Sequence, residues 1–283
     1  NAPISWNSGN KLTMASAGDV NVNGALSATG VNASVAMTAG GANDINLNNK
    51  VTLSGAGNGL ELNYGRSLNL NSGAVVTLSG TGASFRSNGF SYNVIQNLAQ
   101  LQGINDNLGG YYVLGNKISG GSMKSIGGDY GTFYGTFDGL GNTLNNLSVT
   151  STGPLSGLFS ASSGSISNLG LAALTVNATS SNAGAAAMGA LVGQNSGTIS
   201  NVNATGVRLT NNTGRGYSMG GLVGKNLIDG SIDRASVDAS CLSGSALTQS
   251  IGGLVGENAG KVTRSTSNAT IGGYMQRTAM GGV

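Results

Sequence analysis

The chain has 283 residues, 50 of them Gly, only 8% charged, and a net charge of +3 with basic residues scattered along it. This is not the composition of a charge-rich disordered chain, and no basic run or aromatic-interleaved patch suggests nucleic acid. There is no His, a single Cys and no run of about 18 apolar residues, which excludes His-based triads, thiolate zinc clusters, an intrachain disulfide and a membrane-spanning helix.

Val, Ile, Leu and Ala occur in short runs punctuated by Gly, Asn and Ser, which predicts an all-β chain with many turns. Residues 1–88 form a first region with its own repeat. Asp19-Val-Asn-Val-Asn23, Asp44-Ile-Asn-Leu-Asn48 and Ser67-Leu-Asn-Leu-Asn71 superpose, with Val20, Ile45 and Leu68 stepped by 25 and 23 residues. Further apolar pairs fall between them, such as Val35/Met37, Val51/Leu53 and Leu60/Leu62, each alternating as a half-buried strand does. About three short strands per step is the rung of a parallel β-helix, and it places Asn21, Asn46 and Asn69 above one another, and likewise Asn23, Asn48 and Asn71.

Residues 89–150 lose this rhythm and read as a transition segment. Apolar residues at 94, 95, 98, 101 and 104 have helical spacing, so a short helix is predicted within about 93–104, ending near Gly103. Tyr111–Leu114 reads as a strand. Residues 127–141 are Gly-rich and carry Tyr130, Phe133, Tyr134 and Phe137, read as a wedge filling the coil where its section changes, with a ligand cleft as the alternative.

Residues 151–283 are built on a second repeat. Met188-Gly-Ala-Leu-Val-Gly-Gln-Asn195, Met219-Gly-Gly-Leu-Val-Gly-Lys-Asn226 and Ile251-Gly-Gly-Leu-Val-Gly-Glu-Asn258 share one frame. A worn copy stands at Leu155 to Ser160, and a further copy begins at Met280. Leu158, Leu191, Leu222, Leu254 and Val283 are stepped by 33, 31, 32 and 29 residues, a period that marks a solenoid. Ile166, Ile199, Ile232 and Val262 form a second mark behind them. Asn195, Asn226 and Asn258 are expected to stack as a structural ladder with their amides bonded along the stack. Cys241 is expected to be a small apolar residue of the column.

The loops before each Gly-Gly-Leu-Val vary while the frame holds, and in a solenoid such loops line one face. Two of them pair Arg with Tyr, Arg215/Tyr217 and Tyr274/Arg277. A flat ring beside a forked donor suits a sugar, so these four are the candidate carbohydrate contacts. Leu227-Ile228-Asp229 is an insertion at a turn, expected either to tuck under the coil or to present an apolar knob.

The Gly-Gly-Leu-Val-Gly-x-Asn repeat resembles the short (GLUG-type) repeat of large bacterial surface adhesins. Tyr112-Val-Leu-Gly-Asn116 and Phe137-Asp-Gly-Leu-Gly-Asn-Thr-Leu-Asn-Asn-Leu147 resemble segments that precede such repeats. The Asn-rich coils of residues 10–80 look like the shaft of filamentous-haemagglutinin-like exoproteins. The resemblance implies a right-handed parallel β-helix and export through an outer-membrane secretion partner by a two-partner (type V) route. It also implies a place secreted from or on the outer surface of a Gram-negative cell. The implied role is attachment to host cells, other bacteria or biofilm exopolysaccharide, with a carbohydrate or a host or bacterial surface receptor as partner. The chain starts within a strand pattern and stops within a repeat, which reads as a segment of a longer protein.

Catalysis would have to use the ten carboxylates. Asp229, Asp233 and Asp238, with Lys225 and Arg234, form the one cluster to weigh for a polysaccharide lyase or hydrolase, and Asp233 and Asp238 fall on opposite faces if that run stays extended. No catalytic residue, metal or cofactor is expected. A passive stalk that presents a binding tip or toxin elsewhere is the other alternative.

Overall fold

The computed structural model describes residues 2–71, 73–179, 186–211, 217–244, 249–273 and 279–281. Within them the chain is mostly β, its strands paired in parallel sheets, with one short α-helix. It divides into two compact units. The first holds residues 1–96, 111–117 and 137–142, and the second holds 97–110, 118–136 and 143–283. The rhythm-free stretch 89–150 therefore contributes to both.

In the first unit each turn of the repeat supplies one short strand to each of three parallel sheets. Leu26–Ala28, Val51–Leu53 and Val76–Leu78 pair in register, as do Val20–Val22, Ile45–Leu47 and Leu68–Leu70. The third sheet joins Lys11–Ser16, Ser34–Ala39, Gly59–Asn63 and Ser84–Ser87. Alternation sends one set of side chains inward, so that Val51, Leu53, Leu62, Val76 and Leu78 are fully buried. Each such Val or Leu contributes about 1.5–3 kcal/mol by leaving water. The outward Asn residues form two ladders. Asn46 Nδ2 donates to Asn21 Oδ1 at 3.0 Å and Asn69 Nδ2 to Asn46 Oδ1 at 2.9 Å. Asn48 and Asn71 continue the second, at 2.7 Å to Asn23 and 2.9 Å to Asn48.

Phe90–Ile95 runs antiparallel to Ser84–Ser87, with Ser87 opposite Phe90. The connection is Asn88-Gly89, with φ of 49° and 82°. Positive φ at both residues is what a tight two-residue hairpin turn requires, and Asn-Gly meets that need with little strain.

The helix is shorter and later than its spacing predicted. It spans Leu98–Gln102 (α1) and continues as a 3-10 turn over Gly103–Asp106. Val94 and Ile95 belong instead to a strand, paired in parallel with Val113 and Leu114. Asn97 fixes the boundary, because its side-chain oxygen accepts from Gln100 N at 2.9 Å and caps the first turn.

In the second unit the repeats stack in register. Met188 lies beside Met219 and Met219 beside Ile251, while Asn195, Asn226 and Asn258 align one strand apart. Leu158, Leu191, Leu222 and Leu254 form a column with no exposed surface. Ile166, Ile199, Ile232 and Val262 are likewise in register.

The repeat glycines serve close approach rather than an unusual backbone angle. A Cβ on Gly220 would lie 1.9 Å from the Val223 carbonyl oxygen and 2.6 Å from Gly256 N, and one on Gly224 would lie 2.5 Å from Met188 N. The two legs of each repeat are thus pressed backbone to backbone, and a side chain at these positions has no space. A different column takes the positive angles. Asn168, Asn201, Arg234 and Arg264 have φ of 53°, 53°, 50° and 50°. This left-handed residue turns the strand, so that Ile232, Ala235 and Val237 are all buried despite their uneven spacing.

Candidate functional site

A depression of about 900 Å³ lies in the second unit. Its wall is α1 and the 3-10 turn, through Ala99, Gln102, Asn105 and Asp106, and its floor is Ser122–Lys124 with Thr150 and Thr152. A smaller hollow of about 310 Å³ shares Lys124, Gly128, Thr150 and Thr152 and extends it to Asp129 and Tyr130.

Hydrogen bonds pin the wall to the floor. Lys124 N donates to Gln102 Oε1 at 2.8 Å and Gly127 N donates to Asn105 Oδ1 at 2.8 Å. Asn105 Nδ2 in turn donates to the Gln102 carbonyl at 2.9 Å. At the far end Thr152 Oγ1 donates to Asp129 Oδ1 at 2.5 Å. These contacts fix the backbone and leave functional heads outward. Asp106 and Lys124 have no ion-pair or side-chain hydrogen-bond partner among the described residues, and the Tyr130 ring is 79% exposed. The groove thus offers a carboxylate, an ammonium, threonine hydroxyls, amides and one open aromatic ring, the mixture that a polyhydroxylated ligand needs.

The aromatics of residues 127–141 divide in two. Phe133 and Phe137 are fully buried, with the Phe133 ring 4.9 Å from that of Phe159, whereas Tyr130 and Tyr134 are exposed. The phenylalanines pack inside as the wedge reading expects, and Tyr130 lines the smaller hollow.

Of the four sugar contacts expected from sequence, Arg215, Tyr274 and Arg277 lie outside the described residues. Tyr217 is corrected. It opens the strand Tyr217–Gly220 in register with Ala186 and is 1% exposed, so its ring packs inside and offers no face to a ligand. All four residues of this strand are buried, Ser218 at 1% included, so the strand is covered on both faces. The side chain of Cys241 also lies outside the described residues. At the inserted turn, closed by Gly230 N on the Leu227 carbonyl at 2.8 Å, Ile228 projects with 76% exposure.

The Asp229, Asp233 and Asp238 cluster does not converge. Asp233 takes a two-point ion pair from Arg264, at 2.8 and 2.5 Å, and a hydrogen bond from Thr263. These hold its carboxyl down at about 2, the Arg264 hydrogen bond contributing most. Asp238 accepts from Asn268 at 3.1 Å. Because Arg234 turns the strand between them, Asp233 and Asp238 both point away from the core rather than to opposite faces. Lys225 is 2.9 Å from Glu257 and draws its carboxyl below the usual range. No group of three His, Cys, Asp or Glu among the described residues is placed to hold a metal ion, and no helix is long and apolar enough to cross a membrane.

Comparison of the chain with protein-family models, curated proteins and solved structures finds no match.

Proposed function

We propose that this chain is a length of a secreted bacterial surface adhesin, in which each unit is a stack of right-handed parallel β-helix coils and the groove beside α1 takes a surface glycan or exopolysaccharide. The observation that carries the reading is that groove. It is open, is walled by backbone held in place by Gln102 and Asn105, and leaves Asp106, Lys124 and Tyr130 unengaged. The repeat Gly-Gly-Leu-Val-Gly-x-Asn and the Asn-rich coils support this reading through their resemblance to such adhesins, and with it secretion to the outer surface of a Gram-negative cell through an outer-membrane partner. The role in this reading is attachment, and it is supported by the engagement of Asp233 and Asp238, the carboxylates weighed for catalysis, by Arg264 and Asn268. Shallow contacts repeated along a rigid support add by multivalency.

The test is co-sedimentation of the purified chain with a panel of bacterial and host polysaccharides, with new chain ends measured in parallel. Saturable binding that falls about tenfold in Tyr130→Ala, without new chain ends, is the expected result. Release of chain ends overturns the attachment role in favour of a polysaccharide-degrading enzyme. Absence of binding to every glycan leaves a passive stalk in its place.

A further inference from the structure

We infer that Asn23 is a site of spontaneous covalent modification, at which the chain converts its own amide to an acid with help from the Asn ladder. Three Asn-Gly dipeptides occur in the sequence, Asn23-Gly24, Asn58-Gly59 and Asn88-Gly89. Glycine has no Cβ to shield its nitrogen and its backbone turns freely, so the nitrogen after such an Asn can reach the side-chain carbonyl carbon. The step needs only water. Gly24 N bonds to Asn23 Cγ, the Cγ–Nδ2 bond breaks, and the proton lost by Gly24 N leaves with the amide nitrogen as ammonia. Water then opens the cyclic imide at either carbonyl and leaves aspartate or isoaspartate.

The fold blocks two of the three. Asn58 has no exposed surface, its Nδ2 donates to the Ala28 carbonyl at 3.2 Å, and Gly59 N donates to the Ala33 carbonyl at 3.2 Å. Both reacting groups are engaged and out of reach of water. Asn88 is exposed but sits in the left-handed turn, with φ of 49°. In a two-residue turn of this mirror-image kind ψ is about +30°, which carries the following nitrogen away from the side chain. Tyr64 N donates to Asn88 Oδ1 at 2.8 Å and holds the amide there.

Asn23 is restrained in neither way. It is exposed, between the strands Val20–Val22 and Leu26–Ala28, and its φ is not left-handed. Gly24 N has no hydrogen-bond partner among the described residues. Among those residues the peptide unit joining the two is held only by Asn49 Nδ2, 3.4 Å from the Asn23 carbonyl oxygen. Asn48 Nδ2 meanwhile donates to Asn23 Oδ1 at 2.7 Å. That oxygen gathers negative charge as Gly24 N adds to Cγ, so the ladder bond is aimed at the developing oxyanion. The product also fits. Asn23 accepts from Asn48 and its Nδ2 donates to no described residue, so an aspartate keeps the ladder bond and makes it charge-assisted. A middle rung such as Asn48 both donates and accepts, and would lose its donor.

The test is incubation of the whole chain in mildly alkaline buffer, followed over time by peptide mapping in a mass spectrometer and by an enzymatic isoaspartate assay. Asn23 is expected to convert at least about tenfold faster than Asn58 and Asn88, because misplacing a reacting atom by about 1 Å costs about a hundredfold. Asn48→Ala should slow conversion at Asn23 about tenfold, less than the loss of about 10²–10³ for a buried oxyanion donor because water competes here. Asn71→Ala removes the next bond of the same ladder, leaves the Asn48 donor in place and should leave the rate unchanged. No conversion at Asn23, equal rates at the three dipeptides, or an Asn48→Ala rate equal to or above that of the wild type each overturns the proposal. Equal slowing in Asn71→Ala and Asn48→Ala overturns it too, since the ladder would then act through stiffness and not through the donor.

Discussion

Asn195 Nδ2 donates to Asn226 Oδ1 at 2.8 Å, and Asn226 passes the bond on to Asn258 at the same distance. Both Asn195 and Asn226 are essentially without exposed surface. Asn226 also donates to the Gly230 carbonyl at 3.2 Å, which closes the following turn. Replacing Asn226 by Ala removes a partner from the buried Asn195 Nδ2 and from the carbonyl of the buried Gly230, each costing about 1–3 kcal/mol. Asn226→Ala should therefore lower stability by about 2–4 kcal/mol in urea denaturation. Asn258→Ala, at an exposed rung, should cost clearly less, and equal losses would show that the ladder is not what matters.

The repeat glycines should tolerate nothing larger. Gly220→Ala and Gly224→Ala each drive a methyl group into backbone, and overpacking of this kind costs about 1–3 kcal/mol or more. Gly272 has open space around its Cβ direction and is the control, expected to change by less than about 0.5 kcal/mol as Ala. Thermal melts of the three variants decide the point.

Arg234 occupies with φ of 50° the place that Asn168 and Asn201 fill in earlier repeats. Asn is one of the few residues that enters this region readily. Arg234→Asn should raise stability by a few tenths to about 1 kcal/mol, and Asn201→Val should lower it. A drop in melting temperature for Arg234→Asn would mean that the guanidinium, 3.6 Å from Asp233, outweighs the strain.

The Asp233–Arg264 pair sets an acid limit. Its folded value, about 2, lies below the ordinary 3.8, so the pair stabilises the fold fully above about pH 4 and loses its effect as pH falls toward 2. Glu257, lowered first by its hydrogen bond from Lys225, acts in the same direction. The melting temperature of Arg264→Met should lie below that of the wild type at pH 6, and the two curves should converge near pH 2. A constant gap across that range would show that Arg264 contributes packing and not charge.

Periodicity made the stacked part of the fold legible. A fixed step places Leu158 over Leu191 and Asn195 over Asn226, and both relations could be read from spacing. The spacing could not separate Val94 and Ile95 from Leu98 and Leu101, because a β-branched pair before a helix continues the helical pattern by accident; Asn97, a capping residue, carried the missing signal. The left-handed position was also hidden, since Arg234 has no side-chain preference that announces it. The groove was not legible because it assembles Asp106, Lys124, Tyr130 and Thr152 from separate segments in which none belongs to a motif. Tyr217 lies inside because its whole strand is covered, which nothing in its own segment announced.

Asn226 both receives the ladder bond from Asn195 and gives the same bond to Asn258, and Gly220 and Gly224 in the same repeat meet only backbone. One repeat therefore presents its neighbours with the same surface as any other. A whole copy can thus be added to or removed from the stack without breaking the ladder, so the length of this region can change while its cross-section stays fixed.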